Sequence, residues 1–269
     1  MIRRLADRLV AVDLLDPAAE LLQHQVDNRL QGAARAQVAA RLAVIYLLNH
    51  KPTQAQAALR SSRSANLSNE MRNQRLLLES RALSDVGRHD LALEVIANLE
   101  GREATRLRAD IYWSARRWQQ AAEQIELLYG ERWKNIDPLS DRERADILRA
   151  GTGFALADDT IGMGRLREKY GTKMANSPDQ RIFEVVMAGL GVNSAEFRDV
   201  ARTVASVDTL DGFVRDMQTR YPEMTVLPAA TPGQPAAGQP LPQKPDREPT
   251  GSITPRERPR PVPSRATLR

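Results

Sequence analysis

The sequence predicts an all-α chain of antiparallel helical hairpins, stacked as an α-solenoid and followed by a disordered tail. Three observations carry that expectation. Four columns of similar residues recur through the first half of the chain, aromatic residues make up only 4% of it, and 11 of its 16 prolines fall in the last 42 residues. Few aromatics argue against a large β-sandwich, which packs aromatic and β-branched side chains. The abundant Ala, Leu, Arg, Gln and Glu are good helix formers.

The columns set the units. Ala18, Ala55, Ala92 and Ala121 stand 37, 37 and 29 residues apart. Nine residues before each comes Leu9, Tyr46, Leu83 or Tyr112, and three residues earlier comes a small residue, Ala6, Ala43, Ser80 or Ala109. Four residues after each alanine comes Leu22, Leu59, Ile96 or Ile125. Small residues on both helices let a hairpin close tightly, and the large residue one turn later packs into the next unit. Ala92 and Ala121 are therefore expected to be buried where helices cross. The clearest copy runs from Ala109 through Arg116-Arg117-Trp118 to Ala121. The next clearest turns at Val86-Gly87-Arg88, where Gly87 can adopt a positive φ.

The order small residue, Tyr, Gly-containing turn, aromatic, Ala, large apolar residue resembles the tetratricopeptide repeat. The resemblance covers about Ile2 to Tyr129 and is degenerate in the first two units, where Asp13 and His50 replace the turn glycine. Spacings of 37 and 29 depart from the usual ~34 residues. The wider chain is similar to the C-terminal region of long tetratricopeptide proteins of α-proteobacteria. The resemblance implies a binding scaffold rather than an enzyme.

The chain divides into repeats over residues 1–130, further helices capping or extending the stack over 131–227, and a Pro/Arg-rich tail over 228–269. Met1 to Leu15 alternates charge with apolar residues, which suits an amphipathic helix and not a signal peptide. Its start lacks a Ser, Thr, Asp or Asn cap, so the chain is expected to continue a longer stack. Beyond Tyr129, a turn at Asp137 to Asp141 leads into a helix to Ala157. Further helices are expected from Thr160 to Tyr170, from Ser177-Pro178-Asp179 to Leu190, from Phe197 to Val204 capped by Ser194, and from Leu210 to Tyr221 capped by Asp208. These helices should cover the exposed end of the stack. The tail is too poor in apolar residues to offset the entropy of ordering, and its prolines favour polyproline-II stretches.

Charge belongs mainly to that tail. Seven basic residues against three acidic ones give residues 228–269 a net charge of +4, out of +5 for the whole chain. The body, with acids and bases interspersed, lacks a phosphate-binding face. No stretch reaches the roughly 20 apolar residues of a membrane span. The expected compartment is the cytoplasm, or the periplasm if a longer form carries an export signal. The absence of cysteine excludes disulfides, thiolate catalysis and cysteine-ligated metals.

Motifs that carry chemistry are few, and no cofactor or metal is expected. His24, His50 and His89 lie one per unit without ligand spacing, and His89 takes a position where the repeat usually has an aromatic. Gly151-Thr152-Gly153 and Gly162-Met163-Gly164 follow no strand and no Lys-Ser/Thr follows them, so they read as loop or helix-junction glycines. Asp158-Asp159 reads as a helix end before Thr160 rather than an acid–base pair.

The candidate partner-binding residues are Arg81, Asp85, Arg106, Asp110 and Trp113, with Gln74 beyond them. All fall on first helices of hairpins, on the face that lines the groove of tetratricopeptide stacks. Trp113 beside arginines has the composition of a hot spot, although it could equally pack on the neighbouring helix. Trp118 belongs to the core. The asparagine and lysine positions of the chaperone-tail clamp known in this family are not evident. A protein partner is expected, with an acidic or carboxylate-bearing segment and an apolar anchor. The alternative is a nucleic-acid-associated regulator using the basic tail, and an enzyme of unrecognised type is the third possibility.

Overall fold

The computed structural model describes residues 2–188, 194–205 and 209–222, and every regular element among them is helical. The chain separates into two units, residues 1–230 and 231–269. The Pro/Arg-rich tail lies outside the described residues, as do Asp208 and Leu190. No described helix is long and apolar enough to cross a membrane.

The helices follow in pairs. They are α1 (Ile2–Ala11) and α2 (Leu15–Asn28), α3 (Gly32–Leu48) and α4 (Pro52–Ser61), α5 (Asn69–Asp85) and α6 (His89–Val95), and α7 (Arg102–Ser114) and α8 (Trp118–Tyr129). A fifth pair is α9 (Asp141–Leu156) and α10 (Thr160–Ala175), after a short 3-10 turn at Arg132–Lys134. Then come α11 (Gln180–Met187), α12 (Ala195–Ala205) and α13 (Thr209–Arg220). Each helix from α1 to α10 packs on the next, and α3, α5 and α7 also touch one another in order.

One turn closes all five pairs. Asp13, His50, Gly87, Arg116 and Asp158 each have a positive φ, between 52° and 79°. At each, the following amide donates back across the turn to Leu9, Tyr46, Leu83, Tyr112 or Phe154 O, at 2.8 to 2.9 Å. This bond, with the one from the positive-φ residue's own amide, satisfies carbonyls that the helix end would otherwise leave bare. A β-carbon at positive φ costs roughly 1–2 kcal/mol, least for Asp and Asn. His50→Gly and Arg116→Gly are therefore expected to stabilise the chain, by up to about 1 kcal/mol each. Gly87→Arg should destabilise it. Thermal melting of the three variants checks the set, and a lower melting temperature for His50→Gly would contradict the strain.

The fifth pair extends the repeat beyond Tyr129. Phe154 and Gly151 occupy the large and small columns, and Gly162 with Leu166 faces them from α10, all four buried. The two glycine clusters, read from sequence as loops or junctions, lie inside α9 and α10. Gly162 stands one residue earlier in its unit than the alanines do in theirs.

Burial follows the columns. Ala18, Ala55, Ala92 and Ala121 are each 0% exposed. Ser80 holds a small-column position because its hydroxyl donates to Ala92 O at 2.8 Å. Ion pairs recur between units as well. Arg41 meets Asp7, and Arg149 meets Asp110, each arginine lying two residues before its small-column residue and each aspartate one residue after the small-column residue of the preceding unit. The apolar core forms two clusters, one running through α1 to α7 and the other from Ala109 to Met187.

Ser140 caps α9 in a reciprocal box with Glu143, as the Asp137–Asp141 turn suggested. Asp159 caps α10 through the Gly162 amide, and Ser194 accepts from the Phe197 amide. Of the later helices, α11 packs on α9 and α10, and α12 on α9 and α11. The expectation that all of them cover the end of the stack fails for α13. Helix α13 turns back and packs against α3 and α7, first helices of the second and fourth pairs. Its apolar residues Leu210, Phe213, Val214 and Met217 recur at i, i+3, i+4 and i+7, and all join the first core cluster. Only tertiary burial holds so short a helix, because 12 residues are marginal in isolation.

Candidate functional site

The face lined by α3, α5, α7 and α9 carries all five candidate residues, and the chain itself occupies it. Arg81 on α5 reaches Asp85 Oδ1 with Nε at 2.9 Å, one helical turn along. Its Nη1 donates to Thr209 Oγ1 of α13 at 3.1 Å, and its guanidinium lies 5.8 Å from the Phe213 ring centre. Arg81 has no acid at the equivalent of Asp110's partner position, since Leu107 stands there in the next unit. Its charge is met along its own helix and by α13 instead.

Arg106 on α7 is the centre of a second cluster. It grips Asp146 of α9 with both terminal nitrogens, at 2.7 and 3.2 Å. Tyr129 donates to the same carboxylate at 2.5 Å. Nε of Arg106 faces Asp216 of α13 at 3.3 Å, and Asp216 also accepts two bonds from Arg142, at 2.8 and 2.7 Å. Burial works against the charge on Arg106, but Asp146, Tyr129 and Asp216 together raise its pKa above the ordinary arginine value. Burial, and then the Asp146 carboxylate, push the Tyr129 hydroxyl upward.

Asp110 and Trp113 belong to a third cluster at the α7–α9 contact. Asp110 is 6% exposed and pairs with Arg149 Nη1 at 2.5 Å. Burial pushes its carboxyl above the ordinary range, against the pull of Arg149. The Arg149 guanidinium also lies 4.8 Å from the Trp113 ring centre, and Trp118 meets Trp113 edge-on at 5.0 Å. Trp113 is thus half-buried on neighbouring helices, the second of its two sequence readings. Gln74 is buried on α5.

What sequence reasoning offered as an open lining is, in the folded chain, a set of intramolecular pairs. Four residues that complete it were missed: Arg142, Asp146 and Arg149 on α9, and Asp216 on α13. The glycines of α9 hid its membership of the repeat, and with it the columns that would have placed its charges. The apolar spacing of α13 marked an amphipathic helix, but nothing in it says which face of the stack it covers.

Other candidate chemistry is sparse. Among the described residues, no group of three or more His, Asp or Glu could hold a metal ion. His89 Nδ1 lies 3.4 Å from Ser84 Oγ, and His50 sits at a turn. Asp158 is the positive-φ turn residue and Asp159 the cap, so the pair is a helix junction. A cleft of about 410 Å³ opens between α4 and α5, lined by Leu59, Leu67 and Leu76 with Arg63, Arg72 and Arg75. Its arginines are engaged already, Arg75 by the carbonyls of Ala36 and Leu59 and the Ser62 hydroxyl, Arg72 by Leu67 O, and Arg63 by Glu79. Comparison with family models, curated proteins and solved structures returned no match to this chain.

Proposed function

We propose that this chain is a non-enzymatic interaction scaffold: a tetratricopeptide-like solenoid whose first-helix face takes a helical segment of a partner protein. The observation that carries this reading is the seat of α13 across that face, anchored by Phe213 and Met217 and by the Asp216 carboxylate between Arg106 and Arg142. A face that folds around one amphipathic helix has the shape and charge for another. Recognition by apolar anchors at i, i+3, i+4 and i+7 is a recurring mode of helix-in-groove binding. The repeated turn and the buried alanine columns support the solenoid.

Photo-cross-linking tests the reading. A photoreactive residue placed at Glu70, on the α5 rim of the face beside Arg220 of α13, should capture a partner protein through a helical segment, and capture should survive removal of residues 228–269. The same probe at Arg181, which is exposed on α11, should capture nothing specific. Capture that needs the tail and not the face would overturn the reading. Nucleic acid cross-linked to the tail in a strongly salt-dependent manner would favour the alternative role.

A further inference from the structure

Resting on that scaffold reading, we infer that α13 is an internal placeholder. It occupies the face in place of the partner's helix, and its own sequence is the template of what displaces it. The partner's helix carries four apolar residues at i, i+3, i+4 and i+7 and a carboxylate at i+6, as Leu210, Phe213, Val214, Met217 and Asp216 do.

Several features separate α13 from a permanent element of the core. Its polar anchor is shared: Asp216 competes with Asp146 for Arg106, and its other partner, Arg142, is 48% exposed. Ion pairs this exposed hold little. Its other ion pair among the described residues, Arg220 to Glu70, spans 4.0 Å between two exposed side chains. Gln218 Nε2 is buried without a hydrogen-bond partner, a cost that is relieved when α13 lifts off. Gly212, mid-helix, lowers its helical preference further. Beneath α13, by contrast, the first helices keep partners of their own. Arg106 holds Asp146, Arg81 holds Asp85 and Asp110 holds Arg149, so none of those three charges is stranded when the face is vacated.

The charge on the face selects the occupant. With α13 away, Arg142 and the third edge of Arg106 lack the acid that Asp216 supplies one residue before Met217. A helix with a base at the Asp216 position is repelled, and an all-apolar helix leaves Arg142 and the Nε edge of Arg106 without an acid.

The experiment uses the full chain and a fluorescein-labelled peptide of residues 209–222. Asp216→Arg in the chain sets a third cation against Arg106 and Arg142 and should release α13. If the closed face is open one tenth of the time, the peptide binds the wild type about tenfold more weakly than it binds the released chain. The expected result is a gain in peptide affinity of about tenfold or more for the Asp216→Arg chain. A peptide that itself carries Asp216→Arg should not bind. Equal binding to both chains overturns the placeholder and leaves the scaffold standing. Binding to neither overturns both readings. A chain that dimerises with rising concentration by exchanging α13 would make a second copy the occupant, and that also overturns the proposal. Should Asp216→Arg fail to fold, hydrogen exchange on the wild type decides. Amides of α13 should exchange at least tenfold faster than those of α5 and α7, whereas equal protection overturns the inference.

Discussion

Arg149→Ala is expected to be among the most damaging single changes in the chain, costing about 3–5 kcal/mol. Among the described residues the guanidinium is the one cation bonded to Asp110, and it lies over the Trp113 ring. Its removal leaves a carboxylate buried between α7 and α9. Replacing both partners with apolar residues, as in Asp110→Leu with Arg149→Met, should restore much of the loss, because neither charge then needs solvation. The deficit should depend on pH with a definite sign. Burial already raises the Asp110 carboxyl above its ordinary value of 3.8, so the folded chain binds that proton more tightly than the unfolded one. The carboxyl's contribution is fully present below 3.8 and is lost as the pH rises through the raised folded value. Removing Arg149 raises that value further. The penalty of Arg149→Ala is therefore largest near neutrality and shrinks in mild acid. Chemical denaturation of single and double variants across pH measures it, and a pH-independent penalty would show that Asp110 is not the group left stranded.

Gly153→Ala should cost about 1–3 kcal/mol, although alanine is the better helix former. A β-carbon there would stand 2.9 Å from the backbone oxygen of Trp118 and 3.2 Å from the Ala122 β-carbon. A backbone oxygen cannot swing aside as a side-chain tip can, so α8 and α9 must part. Gly164, in α10, has nothing within 4 Å of the same position. Gly164→Ala should stabilise the chain by roughly 0.5–1 kcal/mol. Opposite shifts in denaturation midpoint from one substitution at two helical glycines would place the tight crossing at Gly153. Parallel shifts would mean that α8 and α9 have room between them.

Much of this fold was legible because one physical demand repeats. A hairpin needs small residues where its helices cross and a positive φ where it turns, and both leave marks at fixed spacing. The alanine column found four units on that basis. The turn was harder to see, since only Gly87 advertises it, while Asp13, His50, Arg116 and Asp158 adopt the same conformation without the residue that signals it. The fifth unit escaped because Gly151 and Gly162 serve as its small residues, and glycine inside a helix reads as a break. Candidate site residues were placed on the correct helices, but their state was not foreseeable. Whether Arg106 faces a partner or Asp146 depends on contacts 40 residues away. Helical periodicity reports which side of a helix is apolar, not what lies opposite.

The return of α13 changes how the chain must fold. From α1 to α10 each helix meets its neighbours in sequence, so those contacts form with short loops and in any order, as in a linear array. The bond from Arg81 to Thr209 joins residues 128 apart, and the Asp216 pair with Arg106 spans nearly as far. Closing so long a loop is entropically costly until both ends have formed, so α13 docks late, onto a stack already built. Once docked it ties α3, α5, α7 and α9 together, and units that could fray singly from either end must then open in concert. One 12-residue helix thereby turns a row of hairpins into a closed circuit.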